Sequence, residues 1–111
     1  MTESNAIEPF IPHTPFNTVR PVMSGNAVVG QTLSVTEGEW IGDPVIVMTY
    51  QWWRHTIGSY SDHLIEGATD SDYVVTEEDV GFLLHSVIKG TNDSGRTSYA
   101  YASPYFGPVT E

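Results

Sequence analysis

Hydrophobic and polar residues alternate in short runs through the middle of the chain, and turn residues separate the runs. The longest run, VIVMTYQWWRH at residues 45–55, places Met48, Tyr50 and Trp52 on one face of an extended chain and Trp53 on the other. A period of two is the signature of a β-strand with one buried face. The run therefore predicts a long strand with Trp52 and Trp53 on opposite faces.

The same pattern predicts further, shorter strands. They fall at residues 31–35, 64–65, 73–76, 82–90 and 96–102. TEEDVG, which starts at Thr76, predicts one helical turn between two strands, and NDSG, which starts at Asn92, predicts a hairpin turn. Many short strands at this spacing favour an all-β sandwich of about seven strands.

The two ends of the chain have a different pattern, rich in proline and aromatic residues. Residues 1–18 carry prolines at positions 9, 12 and 15, and residues 103–111 (SPYFGPVTE) carry two more. Proline lacks a backbone donor and favours extended chain, so we expect two extended arms around a body at residues 19–102. The residues predicted to bind a partner are Phe10, Ile11 and Phe16 in the first arm and Tyr105 and Phe106 in the second. The alternative is that the arms fold back and cover the edges of their own sheets.

Composition excludes several classes of partner. The chain has 111 residues, enough for one domain, and 14 acidic against 4 basic residues give a net charge of −10. This charge repels nucleic acids and anionic membrane surfaces, so neither is an expected partner. Cysteine is absent, and the first residues are acidic and proline-rich where a secretion signal is basic and apolar. We therefore expect synthesis in a cytoplasm and stability from packing alone.

The polar residues do not form a pattern typical of catalysis or metal binding. His13, His55, His63 and His85 lack the paired spacing of metal ligands and are interpreted as isolated polar residues. The acidic clusters at residues 70–72 and 77–79 are interpreted as turn caps, since they lack the spacing of a calcium loop. We expect no enzymatic activity, no metal and no cofactor.

Several short motifs occur in a familiar order. These are GNAVVGQTLSV, G-E-W, YQWWR, I-E-GAT, Y-V-V-T, E-E-D-V-G and N-D-S-G. Over residues 19–102 this order resembles the immunoglobulin-like domain that recurs in tailed-phage virion proteins and bacterial surface proteins. The resemblance implies a Greek-key sandwich in which Trp52 lies between the sheets and Asp79 and Gly81 form the turn before the sixth strand. It places His85 or Ser86 where many relatives carry a cysteine.

Pattern and resemblance together predict a core and an exposed contact surface. The predicted core residues are Leu33, Val35, Trp40, Tyr50, Trp52, Tyr73, Asp79, Gly81 and Leu84. Trp53 and Tyr60 are the predicted exposed contacts, although Trp53 is equally explained by packing on a neighbour within the sheet.

The resemblance also implies a function. We expect a non-enzymatic phage virion protein, a capsid decoration or cement protein whose arm binds the major capsid protein or another virion protein. Its expected location is the virion, on the capsid surface rather than the tail. One alternative is a minor tail, baseplate or adhesion component that binds host-surface glycans. The other is a carbohydrate-binding module with Trp53, Trp40 and Tyr60 as stacking platforms. The oligomeric state on the particle is left open.

Overall fold

The structure, a computed structural model, describes residues 13–111. Phe10 and Ile11 of the predicted first arm lie outside the described residues. Within residues 13–111 the chain forms nine β-strands and one 3-10 turn, Glu77–Asp79, and no α-helix. The strands are β1 Phe16–Val19, β2 Met23–Ser24, β3 Thr32–Val35, β4 Glu39–Ile41, β5 Val47–His55, β6 Asp62–Leu64, β7 Asp72–Val74, β8 Leu83–Thr91 and β9 Thr97–Tyr101. The all-β prediction is confirmed.

The strands pair into three antiparallel sheets. The largest has the order β6-β5-β8-β9, the second β2-β3-β7, and the third pairs β1 with β4. β5 and β8 pair over nine positions, from Val47 opposite Thr91 to His55 opposite Leu83. Three sheets in this arrangement are compatible with a β-sandwich.

The hydrophobic core lies between the four-stranded and the three-stranded sheet. Trp52 of β5 is fully buried, and its ring stacks on that of Tyr73 in β7 with 5.5 Å between the centroids. Met48 and Tyr50, on the same face of β5, pack against this core, whereas Trp53 faces the other way. Of the predicted core residues, Leu33, Val35, Trp52, Tyr73, Asp79 and Leu84 are buried, Trp40 and Tyr50 are half-buried against the core, and Gly81 is exposed in its turn.

Asp79 is a fully buried carboxylate that ties the turn before β8 to both sheets. Its oxygens accept hydrogen bonds from the Arg54 guanidinium, from the Tyr73 hydroxyl at 2.6 Å and from the Thr76 backbone N–H at 2.8 Å. The carboxylate therefore has both charge compensation and hydrogen bonds, the two conditions for burying a charge. Burial and the bond to Asp79 raise the pKa of Tyr73 to about 12.

Part of the predicted first arm is a strand. Phe16–Val19 forms β1 and pairs with β4, so the expectation of an extended arm through residue 18 is wrong for its last residues. The close approach depends on Gly38, which has a φ of +74°, because a Cβ there would collide with the carbonyl oxygen of Val19. Phe16 consequently belongs to the body.

The predicted second arm also packs on the body. Phe106 bridges to Leu84 with reciprocal backbone hydrogen bonds of 2.7 and 2.9 Å, and Val109 bridges to Val80. Val109 is only 2% exposed and belongs to the core. The expectation of an extended C-terminal arm is therefore corrected, because its apolar residues gain more by burial in the core than by exposure.

Candidate binding face

The outer face of the four-stranded sheet is the surface that points away from the core. Alternation sets its members, because Trp52, Leu84, Ile88 and Ala100 point inward and their neighbours in sequence point outward. The outer face is defined by Thr49, Gln51, Trp53 and His55 of β5, His85, Val87 and Lys89 of β8, and Tyr99 and Tyr101 of β9.

Strand register makes the aromatic residues of the outer face contiguous. Trp53 lies directly opposite His85, while Tyr101 lies opposite Val87 in the next pair of strands. Tyr99 and Tyr101 are 60% and 63% exposed. Large exposed rings placed side by side are typical of binding surfaces.

The C-terminal segment adds Tyr105 to one end of this face. Its ring stacks flat on His85, with 4.3 Å between centroids and 5° between planes, and meets the His55 ring edge-on at 5.4 Å. His55 Nδ1 lies 2.6 Å from a carboxylate oxygen of Asp62 in β6, and His85 Nε2 lies 3.5 Å from the same oxygen. The four side chains form one cluster, here called the histidine cluster.

His85 is almost completely buried beneath Tyr105. Burial lowers the pKa of His85, and the nearby carboxylate of Asp62 offsets this only in part, so the ring is neutral at pH 7. Burial also raises the pKa of Tyr105, with a further contribution from the charge of Asp62. Tyr105 and His85 therefore present stacked neutral rings beside the carboxyl group of Asp62.

Three nitrogen atoms of this face are buried without a hydrogen-bond partner in the described structure. They are Nε1 of Trp53 and both ring nitrogens of His85; the 3.5 Å between His85 Nε2 and the nearest Asp62 oxygen is long for a hydrogen bond. Each unsatisfied buried group costs roughly 1–3 kcal/mol. In native proteins, buried nitrogen atoms of this kind usually bind a water molecule or a ligand.

Two grooves run across the outer face. One of about 540 Å³ is lined by Trp53, Asp62, His85, Val87, Tyr99, Tyr101 and Tyr105. The other, of about 490 Å³, is lined by Thr49, Tyr50, Gln51, Trp53, Thr69, Val87, Lys89 and Tyr99. Trp53, Val87 and Tyr99 line both, so the two grooves lie side by side. Their volumes fall within the range of small-molecule binding sites.

The structure brings only some of the predicted contact residues to this face. Trp53 and Tyr105 belong to it, whereas Tyr60 stands alone and fully exposed in the loop between β5 and β6. Trp40 packs on Gly90, on the core side of β8, and its Nε1 donates to the carbonyl of Glu37 at 2.7 Å. Trp40 therefore lies on the opposite side of the sheet from Trp53, and Tyr60 lines neither of the two grooves.

Sequence reasoning missed the other members, His55, Asp62, His85, Tyr99 and Tyr101. The sequence could have placed Tyr99 and Tyr101 on one face of a strand, because Tyr-Ala-Tyr at residues 99–101 alternates within a predicted strand. No sequence pattern predicted the histidine cluster, since its members come from three strands and the C-terminal segment. Of the two positions proposed for the missing cysteine, Ser86 faces the core opposite Trp52, and His85 faces outward.

Residues 13–111 contain no group of three or more potential ligands arranged to hold a metal ion. In the same range no helix is long and apolar enough to cross a membrane. Comparison with family models, curated proteins and solved structures finds no match to this chain.

Proposed function

We propose that the protein is a non-enzymatic structural component of a tailed-phage virion, a capsid decoration protein. In this proposal an immunoglobulin-like sandwich is held on the particle by residues 1–12 and presents its outer face to the surroundings. The partner on the particle is the major capsid protein or another virion protein. Phe10 and Ile11 are the proposed anchor residues within this segment.

The strand order supports the immunoglobulin-like part of the proposal. Immunoglobulin-like sandwiches place their third, sixth and seventh strands in one sheet and their first, second and fifth in the other. Here β5, β8 and β9 share one antiparallel sheet, and β2, β3 and β7 share the other. Trp52 lies between the sheets, and Asp79 and Gly81 lie in the turn before β8, as the resemblance implies.

The proposed orientation is supported by the distance between His13, the first residue that the structure describes, and the histidine cluster. The carbonyl of His13 accepts a hydrogen bond from the side chain of Asn92, directly after the end of β8. His85 lies seven positions before Asn92, about 23 Å away at the rise of a β-strand. Attachment through residues 1–12 therefore leaves the histidine cluster at the far end of the body, free to contact a second partner.

The test is co-sedimentation of the purified protein with phage particles that lack it because the gene has been deleted. We expect the full chain to bind and a variant lacking residues 1–12 not to bind. A variant with Tyr99→Ser and Tyr101→Ser should still bind, because its changes lie on the outer face.

Imaging of the native particle supplies the second measurement. A copy number that matches the capsid lattice supports a decoration protein, whereas a few copies at the tail would assign the protein to the tail or baseplate. Binding that persists without residues 1–12 would overturn the anchor, and absence from the particle would overturn the proposed function itself.

A further inference from the structure

The exposed rings of the outer face suit a ligand that combines apolar C–H surfaces with hydroxyl groups. Trp53 and Tyr99 line both grooves and Tyr101 lines one of them, so all three rings border the space that a ligand would occupy. The tyrosines add hydroxyl groups that both donate and accept hydrogen bonds. Stacking together with hydroxyl-to-hydroxyl bonding is the chemistry that recognises sugar rings.

The buried nitrogens of Trp53 and His85 argue against a purely apolar partner. An apolar surface laid over this face would leave these nitrogens unsatisfied, whereas a hydroxyl-bearing ligand supplies partners. Tyr105 covers His85 but is itself 42% exposed. Rotation of an exposed side chain is fast, so turning the Tyr105 ring aside opens a path to the His85 nitrogens.

Charge argues against an anionic ligand. The protein carries a net charge of −10, and the carboxylate of Asp62 lines one groove while the other contains a single basic residue, Lys89. The His85 ring adds no positive charge at neutral pH, because its pKa is lowered by burial. An anionic polymer would therefore be repelled, and an uncharged one would not.

We infer that the two grooves bind a neutral oligosaccharide, with sugar rings stacked on Trp53, Tyr99 and Tyr101 and hydroxyl groups directed to Asp62 and His85. This inference rests on the outer face being the contact surface of the proposed function, and it is independent of the anchor at residues 1–12. Because the two grooves lie side by side and share Trp53, Val87 and Tyr99, several linked sugars could occupy both, whereas a single ring would occupy only one.

The three tryptophan indole groups provide the test, because each has a different environment. Nε1 of Trp40 donates to the Glu37 carbonyl and Nε1 of Trp52 to the Asp70 carbonyl, whereas Nε1 of Trp53 has no partner in the described structure. The ¹⁵N-labelled full chain is titrated with maltohexaose, cellohexaose, laminarihexaose and chitohexaose, and with hexagalacturonate as the anionic probe. We expect at least one neutral sugar to shift the Trp53 indole signal and to leave the other two in place.

Two variants test whether the sugar binds at the outer face and whether the loss of any exposed tyrosine would weaken binding equally. Replacement of Tyr99 and Tyr101 by serine should weaken binding at least about tenfold, since each lost stacking partner contributes on the order of a tenfold change. The matched control is Tyr60→Ser, which removes an exposed tyrosine away from the outer face and should leave the affinity unchanged.

Three outcomes would overturn the inference. They are no binding of any neutral sugar at about 1 mM, unchanged affinity in the Tyr99/Tyr101 variant, or tighter binding of hexagalacturonate than of the neutral sugars. The titration contains no phage particles, so its failure is distinguishable from a failure of the co-sedimentation experiment.

Discussion

Removing the carboxylate of Asp79 should be the most damaging single polar substitution that the structure describes. In Asp79→Ala, the Arg54 guanidinium, the Tyr73 hydroxyl and the Thr76 N–H lose their shared acceptor. The Arg54 side chain is only 18% exposed, so water replaces the carboxylate poorly. Breaking a buried ion pair by removing one partner costs about 3–5 kcal/mol, a large part of the roughly 5–15 kcal/mol that stabilises a typical domain.

Urea unfolding followed by tryptophan fluorescence measures this loss, because Trp52 is buried in the core beside Tyr73. The matched control is Glu78→Ala. Glu78 approaches Arg54 at 3.6 Å but is 83% exposed, so its loss should change the free energy of unfolding by less than about 1 kcal/mol.

A double-mutant cycle with Tyr73→Phe separates the hydroxyl bond from the ion pair. The two substitutions together should cost less than the sum of the single costs, because they remove the same hydrogen bond. If Asp79→Ala lowers the free energy of unfolding no more than Glu78→Ala does, the view of this carboxylate as a link between the sheets is wrong.

Three further outcomes follow from packing and ionisation. Gly90→Ala should destabilise the fold by about 1–3 kcal/mol in urea unfolding, because the new Cβ would lie 2.9 Å from the Trp40 ring; the additional substitution Trp40→Leu should restore part of the loss, and no restoration would refute the contact. Val109→Ala should cost about 1.5–3 kcal/mol in the same assay, since it removes two buried methyl groups, and a change near zero would mean that the C-terminal segment is not docked. The pKa of Tyr73 is raised in the fold from its ordinary value of 10.0 to about 12, so its contribution to stability is complete below pH 10 and is lost as the pH rises toward 12; the melting temperature should fall over this interval, and less steeply in Tyr73→Phe.

The sequence by itself determined the class of fold and the positions of its main strands. The alternation in residues 45–55 identified β5, which spans Val47–His55, and placed Trp52 and Trp53 on opposite faces. TEEDVG identified the 3-10 turn at Glu77–Asp79. A sequence can predict these features because strand periodicity and turn formation depend on residues that are close together along the chain.

Only the tertiary structure determined how Phe16 and the C-terminal segment pack on the body. Proline-rich composition predicted extended arms, but Phe16 pairs with β4 and Val109 enters the core. Backbone pairing and burial with residues distant in sequence outweighed the local preference for free extended chain. A sequence pattern reports such local preferences and does not report the energy of distant contacts.

The histidine cluster also depends on tertiary structure and not on local sequence pattern. His55, Asp62, His85 and Tyr105 are separated by 7 to 50 positions in sequence, yet pairing of β6, β5 and β8 and docking of the C-terminal segment bring their side chains together. The sequence determined which chemical groups the chain carries and that its strands have two faces. Strand register and the path of the C-terminal segment decided which groups meet, because these depend on the packing of the whole domain.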